Sequence, residues 1–252
     1  MSMQQTVLLV GGTGRTGRRV LEQLLRRGVA VRAIVRSADR LPARVADSPG
    51  LTVVEGDLLS LGDADLVRHV RGCDAVVSCL GHVVNLRGIF GPPRDLVARA
   101  SGRLCRAIEE LQPHEPVRFV LMSSVTVNHP GGLDPRRGIL ERMVVCALRA
   151  LLPPAKDNQR AADILYDDVG TGNPYVQWVA VRPDSLLEGD VSEYVLHQTL
   201  VSSLFRSDST NMANVAHFMC ELVTDSGMWE RWRSELPVIV NTPTSDSEGR
   251  RA

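Results

Sequence analysis

The feature that most constrains this chain is a glycine-rich turn close to its N-terminus. The apolar run Val7-Leu8-Leu9-Val10 is long enough for a buried parallel strand. Glycines follow at Gly11, Gly14 and Gly17, and Arg18–Leu25 then has the periodicity of an amphipathic helix. The sequence therefore predicts a strand, a tight turn and a helix in direct succession.

This arrangement is typical of a dinucleotide site. Glycines let the backbone turn tightly and approach a diphosphate, and the N-terminus of the helix carries partial positive charge. The spacing is G-x-x-G-x-x-G rather than the commoner G-x-G-x-x-G. A plain strand-to-helix turn is the alternative, but it would not need three glycines at this spacing. The predicted cofactor contacts here are Gly11, Thr13, Gly14, Arg15, Thr16 and Gly17.

The segment GGTGRTG at Gly11–Gly17 resembles the cofactor loop of the extended and atypical short-chain dehydrogenase/reductases, which include NmrA-like and NAD(P)H-binding epimerase-like proteins. The resemblance implies an α/β fold, a doubly wound parallel sheet (Rossmann fold) with a small C-terminal substrate lobe. We expect the cofactor to cross the carboxyl ends of the first and fourth strands. We expect the binding domain to span residues 1–185, the lobe 186–241 and a polar tail 242–252. Within the lobe, a strand at 238–240 is expected to return to the sheet.

Composition excludes several other classes. A length of 252 residues suits one such domain with a modest lobe, and 29 basic against 29 acidic residues argue against nucleic-acid binding. No apolar stretch approaches a membrane span, and the N-terminus leaves no room for a signal peptide, so we expect a cytoplasmic protein. The five cysteines are scattered and predict free thiols. The histidines lack metal-ligand spacing, and no G-x-S-x-G elbow is present.

The predicted second strand, Ala30–Val35, ends on Arg36, at the position that usually faces the adenosine ribose. An acidic residue there would bind the 2′-hydroxyl of NAD, whereas a guanidinium suits the 2′-phosphate of NADP. Arg15 could close on the same phosphate from the other side, with Arg40 as a spare candidate. NADP is therefore favoured over NAD, unless these are ordinary solvated arginines.

Two further strand ends supply cofactor contacts. After the third strand, Leu51–Glu55, the resemblance places Asp57, with Leu58, beside the adenine, which is compatible with a role as turn residue and helix cap. After the fourth strand come Leu80 and Gly81, where the backbone can pass close to the cofactor. The adjacent His82 and Asn85 could meet the substrate or the nicotinamide ribose, or be solvated loop residues.

The predicted fifth strand, Arg118–Met122, leads into a pair of serines. The resemblance implies that one hydroxyl here binds the reacting oxygen. Ser124 matches that position, with Ser123 and Thr126 as near alternatives. Its role would be to donate a hydrogen bond to a developing alkoxide or a polarised carbonyl. The alternative is that the serine only caps the backbone at the strand end.

The chain departs from the family at its acid/base motif. Typical members carry Y-x-x-x-K on the next helix, but Leu152 stands four residues before Lys156, which is the only lysine. Lys156 either keeps the ribose-binding half of the motif or is an ordinary surface lysine. Loss of the tyrosine leaves three options. In the first, His129, Asp157 or Lys156 transfers the proton. In the second, the acceptor needs no strong acid, as with flavins and quinones. In the third, the protein only senses NADP.

The sequence predicts a helix at 157–168 and a sixth strand at Tyr175–Val181. The resemblance places the residues that follow this strand, Arg182-Pro183, across the nicotinamide end of the cofactor. Arg182 could instead form a buried ion pair. The remaining residues predict helices at Val191–Phe205, Asn214–Thr224 and Gly227–Arg233 and a short strand at Pro237–Val240.

The function that these features favour is hydride transfer between NADP and a small organic substrate, such as a carbonyl or a quinone. A non-catalytic, NmrA-like NADP sensor is one alternative. Another is an isomerase, epimerase or dehydratase that keeps bound NAD(P). The expected partner is a small-molecule substrate, with no nucleic acid and no membrane, and monomer and homodimer both remain open.

Overall fold

A computed structural model describes residues 4–82, 91–134, 143–144, 152–202 and 208–242. Within them, a sheet of eight strands has the order β3-β2-β1-β4-β5-β6-β10-β8, and a two-stranded sheet joins β7 to β9. Every pairing in the large sheet is parallel except that of β10 with β8. The chain order reverses between β1 and β4, as a doubly wound sheet requires. The predicted fold class is confirmed.

The N-terminal half of the chain alternates strands and helices. They are β1 (Thr6–Val10), α1 (Arg15–Arg26), β2 (Ala30–Val35), a 3₁₀ turn (Ala38–Arg40), α2 (Ala43–Ala46), β3 (Leu51–Glu55), α3 (Asp63–Val70), β4 (Ala75–Ser78), α4 (Leu96–Leu111) and β5 (Val117–Met122).

The C-terminal elements build the other half of the sheet and its cover. They are α5 (Pro153–Asp163), a π-helical turn (Ile164–Val169), β6 (Val176–Pro183), β7 (Ser185–Leu187), β8 (Tyr194–His197), β9 (Ser209–Asn211), α6 (Met212–Thr224), α7 (Ser226–Trp232) and β10 (Val238–Asn241).

Apolar side chains alternate between the two faces of the central strands and build one core on each face. On β1, Leu8 and Val10 pack with α3, α4 and α5, whereas Val7 and Leu9 pack with α1, α6 and α7. All four side chains are at most 1% exposed, which explains why β1 has a continuous apolar sequence. The four described cysteines are buried free thiols, as predicted.

The prediction of a helix at Val191–Phe205 is wrong. Residues Tyr194–His197 form β8, which pairs antiparallel with β10. The apolar residues of this segment are spaced as in a helix, but β10 would otherwise leave its outer backbone groups unpaired, and tertiary pairing overrides the local pattern. Residues 203–207 lie outside the described part.

Two smaller predictions also changed. Ser209–Asn211, which lies between two predicted helices, forms a strand, and the helix expected over 157–168 begins at Pro153 and ends in a π-helical turn. Asn85, most of Arg136–Leu152 and the tail from residue 243 onward lie outside the described residues. No helix among the described residues is long and apolar enough to cross a membrane. The proposed division between residues 185 and 186 stays a prediction.

Candidate active site

The glycine turn lies where β1 ends, and two of its glycines leave no room for a side chain. A Cβ atom on Gly11 would lie 2.5 Å from the carbonyl carbon of Cys79. One on Gly17 would lie 2.1 Å from the carbonyl oxygen of Gly11. Gly11 also has a φ of 79°, which favours glycine. The turn therefore packs directly against the exit of β4, at the point where the strand order reverses.

The helix that follows this turn begins without a cap. The N-cap of α1 is Gly14, no side chain bonds to the first amides, and the first turn carries no acidic residue. The amide of Gly14 donates to the carbonyl of Gly11 over 3.0 Å and closes the turn. Thr13 is half-buried beside it, and Thr16 is buried in the first turn. Oriented N–H groups and the helix dipole attract an anion to such an end, so these residues fit the diphosphate of a dinucleotide.

The two arginines predicted to hold a 2′-phosphate differ in their surroundings. Arg36 is exposed just beyond β2. Arg15 instead contacts Glu188, with 2.9 Å between Nη2 and Oε1, and Arg19 bonds to the other oxygen of the same carboxylate. The hydrogen bond from Arg15, aided by the charge of Arg19, holds the pKa of Glu188 below its usual value. The segment after β7 is thus linked to the start of α1.

A groove of about 1260 Å³ runs along the outer face of α1. Its lining includes Thr13 from the glycine turn and Arg40, the spare phosphate candidate. It does not include Ser124 or Lys156. This groove therefore adjoins the predicted adenosine end of the site and not the predicted reacting end.

The residues predicted to flank the adenine differ in exposure. Asp57 is exposed, and its Oδ1 accepts a hydrogen bond from the amide of Leu59 over 3.0 Å, which is the turn role left open by the sequence. Leu58 is buried beside it. Past β4, Leu80 is half-buried and Gly81 is exposed.

The serine pair after β5 contains two different kinds of hydroxyl. Ser124 Oγ accepts hydrogen bonds from the amide and from the hydroxyl of Thr126, both over 3.2 Å. Ser123 is only 7% exposed, and its Oγ has no hydrogen-bond partner among the described residues. Ser124 thus caps the turn with its lone pairs, while its own O–H can still donate.

His129 is buried behind the serine pair. Its Nδ1 accepts from the amide of Gly131 over 3.0 Å, so in the neutral ring Nε2 carries the hydrogen. Nε2 has no hydrogen-bond partner in the described part of the chain. Burial, with the charge of Arg182 as a smaller cause, lowers the pKa of His129. The ring packs edge-on against Tyr166, with centroids 5.5 Å apart.

Lys156 and Asp157 are neighbours on α5 but have opposite environments. Lys156 is exposed, whereas Asp157 is 3% exposed. The Asp157 carboxylate accepts hydrogen bonds from the amides of Val97 and Ala98, in the first turn of α4, over 2.8 and 2.9 Å. Its Oδ2 also lies 2.8 Å from Nε2 of His82. Asp157 therefore joins α5, α4 and the segment after β4.

Arg182 forms the buried ion pair that the sequence left open as an alternative. Its side chain is fully buried, and its Nη1 lies 2.6 Å from Oδ2 of Asp134. The remaining guanidinium donors bond to the carbonyls of Leu236, Val127 and Gln198. The neighbouring Pro183 is buried, and its carbonyl accepts from the amide of Val125 over 3.2 Å. This ion pair joins the end of β6 to the segments after β5 and β8.

Most of the predicted residues directly follow the carboxyl ends of parallel neighbouring strands and so lie at one edge of the sheet, whereas Lys156 lies on α5. Sequence reasoning missed three of their partners: Glu188 for Arg15, Asp134 for Arg182, and the pairing of His82 with Asp157. These pairs are separated by 173, 48 and 75 residues. No local spacing rule reaches that far. The signals available in the sequence were an arginine between an apolar run and a proline, and a lone acid in a glycine-containing loop.

Comparison with known proteins agrees with this geometry. Residues 11–226 match the family described as NAD(P)H-binding. An uncharacterised chloroplastic protein of Arabidopsis thaliana is 28% identical over 217 residues, covering 81% of this chain and 73% of that protein.

Two solved structures are similar in fold. A short-chain dehydrogenase/reductase of Veillonella parvula, solved in complex with NADP, is 13% identical with a TM-score of 0.67, over 96% of this chain and 97% of that one. A proposed NADH-flavin reductase of Streptococcus pneumoniae is 17% identical with a TM-score of 0.60, over 94% of this chain and 100% of that one. The resemblance to atypical short-chain dehydrogenase/reductases is confirmed, and the match over residues 11–226 shows that this chain belongs to the NAD(P)H-binding family.

Proposed function

We propose that this protein is an NADP-dependent oxidoreductase that transfers hydride to or from a small organic substrate. The observation that carries the proposal is the uncapped start of α1, held by a glycine turn against the exit of β4 at the reversal of strand order. Oriented amides at such a helix start attract the diphosphate of a dinucleotide, which supports the proposal. When bound, NADPH supplies a hydride, which carries two electrons to an acceptor.

Ser124 would hold the reacting oxygen. Its Oγ uses its lone pairs on Thr126, so its hydrogen can be donated to a carbonyl or quinone oxygen that gains negative charge. The turn 123–127 fixes this hydroxyl, because Ser123 N and Val125 N donate to the carbonyls of Val181 and Pro183 on β6. The serine is therefore preorganised, as stabilisation of a developing charge requires.

Preference for NADP over NAD is supported by charge. The exposed guanidinium of Arg36 follows β2 directly, and Arg15 and Arg40 belong to the adjoining turn and groove. The solved short-chain dehydrogenase/reductase with bound NADP shares this fold. A phosphate dianion is attracted to such a set, whereas a ribose hydroxyl gains little from it.

A non-catalytic NADP sensor is the second candidate. The observation that favours it is Leu152, which takes the place of the usual tyrosine one turn before Lys156 and forms the N-cap of α5. A leucine cannot transfer a proton. A sensor would bind the cofactor and change its contacts with another molecule, without consuming the cofactor.

An oxidation assay separates these candidates. The purified protein is titrated with NADPH and NADH by fluorescence, and absorbance at the nicotinamide band is then followed with a panel of quinones, flavins and carbonyls. Oxidation of NADPH by an acceptor, lost in Ser124→Ala but kept in the exposed control Ser60→Ala, supports the oxidoreductase. Tight binding without oxidation favours the sensor or an isomerase that retains its cofactor.

A further inference from the structure

The groove along the outer face of α1 is strongly basic, although the chain as a whole is neutral. Its lining contains five arginines and only two acidic side chains, whereas the chain carries 29 basic and 29 acidic residues. The arginines of the groove are Arg18, Arg19, Arg26, Arg40 and Arg44. Positive charge is therefore concentrated on this surface, and such a surface attracts anionic groups.

Two of these arginines already have an acidic partner. Arg19 bonds to Glu188, and Arg44 bonds to the largely buried carboxylate of Glu22. The other three are exposed and form no ion pair with a described residue: Arg18, Arg26 and Arg40. Three guanidinium groups therefore remain that can donate hydrogen bonds to a bound anion.

The groove leads away from the predicted cofactor site. The helix α1 begins at Arg15, beside the glycine turn, and ends at Arg26. A rise of about 1.5 Å per residue places Arg26 about 16 Å along the helix from Arg15. Since α1 connects two parallel neighbouring strands, it runs back toward the opposite edge of the sheet. A dinucleotide binds at the carboxyl edge, so the Arg26 end of the groove is separate from the cofactor.

The spacing of these arginines fits an extended ligand. Arg18 and Arg26 are eight residues apart on α1, which corresponds to about 12 Å along its axis. An extended peptide rises about 3.3 Å per residue, so acidic side chains four residues apart span about 13 Å. The groove volume of about 1260 Å³ also exceeds the range of about 300–1,000 Å³ that is usual for small-molecule pockets.

The rest of the lining favours a peptide over a polyphosphate or a nucleic acid. Glu22 and Asp190 also line the groove, and their carboxylates would repel a continuous chain of phosphates. Among the described residues, the lining includes no aromatic side chain on which a base could stack. It does include apolar side chains, among them Leu25, Pro42 and Val45, that the apolar residues of a peptide could contact.

We propose that this groove binds an extended acidic peptide segment of a partner protein. Carboxylates spaced about four residues apart pair with Arg18, Arg26 and Arg40, since a guanidinium binds a carboxylate through two parallel hydrogen bonds. The residues between them lie against the apolar part of the lining. The proposal does not depend on the oxidation of NADPH.

Fluorescence anisotropy with model peptides tests the proposal. The probe is a fluorescein-labelled peptide of alanine and serine that carries three glutamates spaced four residues apart. A second peptide has the same composition with its glutamates adjacent, and a third has lysine in place of glutamate. We expect the wild-type protein at low salt to bind the first peptide at least about fivefold tighter than the second and not to bind the third. High salt should weaken the binding.

A pair of double variants locates the binding. Arg18→Gln with Arg26→Gln removes two of the proposed contacts, and we expect it to weaken binding of the first peptide about tenfold or more. Arg71→Gln with Arg233→Gln removes two exposed arginines outside the groove and should change it by less than about twofold. Both double variants should unfold at the temperature of the wild-type protein and bind NADPH as it does.

The outcomes decide between a peptide and other ligands. Failure of the wild-type protein to bind the first peptide contradicts the proposal, and so do equal losses in the two double variants. Equal affinity for the two glutamate peptides contradicts the extended arrangement. Unlabelled tripolyphosphate and oligothymidylate serve as competitors. If either displaces the probe at a lower concentration than the unlabelled first peptide does, the groove is a phosphate site and the proposal is wrong.

Discussion

The proposed cofactor end and the proposed reacting end of the site are built in different ways. At the cofactor end, one stretch of sequence, Thr6–Arg26, supplies the strand, the turn and the uncapped helix. At the proposed reacting end, Ser124 follows β5, and the pairs Arg182–Asp134 and His82–Asp157 join segments 48 and 75 residues apart. Local chemistry determines the first end, whereas long-range packing assembles the second. Changes at the two ends should therefore have different consequences.

The largest effect should come from the ion pair that holds the reacting end together. Asp134→Asn leaves the fully buried Arg182 without a counter-charge, and we expect the free energy of unfolding to fall by about 3–5 kcal/mol. The partly exposed Asp65, paired with Arg68, is the control, and Asp65→Asn should cost less than about 1 kcal/mol. Chemical denaturation measures both. Equal small losses would show that long-range pairing does not hold this end.

The same pair predicts how stability depends on pH. Burial pushes the pKa of Asp134 up, but the hydrogen bond and charge of Arg182 and the amides of His129 and Leu200 outweigh it and leave the pKa lowered. As pH falls, the carboxyl group of Asp134 therefore binds a proton in the unfolded chain at a higher pH than in the folded protein. The stability from this pair is present above the ordinary aspartate pKa of about 4 and is lost as pH falls through the lowered pKa. Asp134→Asn should remove this part of the acid destabilisation, as denaturation at several pH values would show.

Substitutions of the two serines allow catalysis and packing at the proposed reacting end to be tested separately. Ser124→Ala removes the donor to the developing charge, and we expect turnover to fall about 100-fold with little change in NADPH binding. Ser123→Ala removes a buried hydroxyl that lacks a partner among the described residues, so stability should stay the same or rise slightly. Turnover and thermal unfolding of both variants test this. Full activity in Ser124→Ala would remove it from the mechanism.

At the cofactor end, a single methyl group should be enough to damage the site. Gly17→Ala places a Cβ atom 2.1 Å from the carbonyl oxygen of Gly11, so the turn must shift. We expect about 1–3 kcal/mol of destabilisation, and NADPH binding weakened tenfold or more because the amides move away from the diphosphate. Gly172→Ala is the control, since a Cβ there meets nothing within 4 Å. Binding unchanged in Gly17→Ala would contradict the assignment of this turn.

The smallest effect should come from the contact between Glu188, which follows β7, and the start of α1. Glu188 holds both Arg15 and Arg19 through exposed ion pairs. Glu188→Gln releases Arg15 toward a phosphate, and we expect NADPH to bind tighter by less than about fivefold, with the gain lost at high salt. Titration at two salt concentrations measures it. Weaker binding in this variant would mean that Glu188 supports the cofactor site.

The same comparison explains what the sequence could predict. The bounds of β2 and β3 agree with the strands expected from the sequence, and the fold class agrees with what the resemblance of the glycine turn implies. Local spacing predicts a helix that includes residues 194–197, but these residues form a strand because they pair with β10, far along the chain. The environments of Arg182 and His82 depend on Asp134 and Asp157 in the same way. Local rules do not contain these pairings.

A pair of titrations would show whether the glycine turn and its arginines bind NADP. Dissociation constants for NADPH and NADH are measured by fluorescence for the wild-type protein and for Arg36→Asp, with Arg71→Asp as an exposed control. We predict that the wild-type protein binds NADPH more tightly than NADH and that Arg36→Asp reduces or reverses the preference. Absence of binding by either cofactor would contradict the assignment of the glycine turn, and an unchanged preference in Arg36→Asp would contradict the role of Arg36.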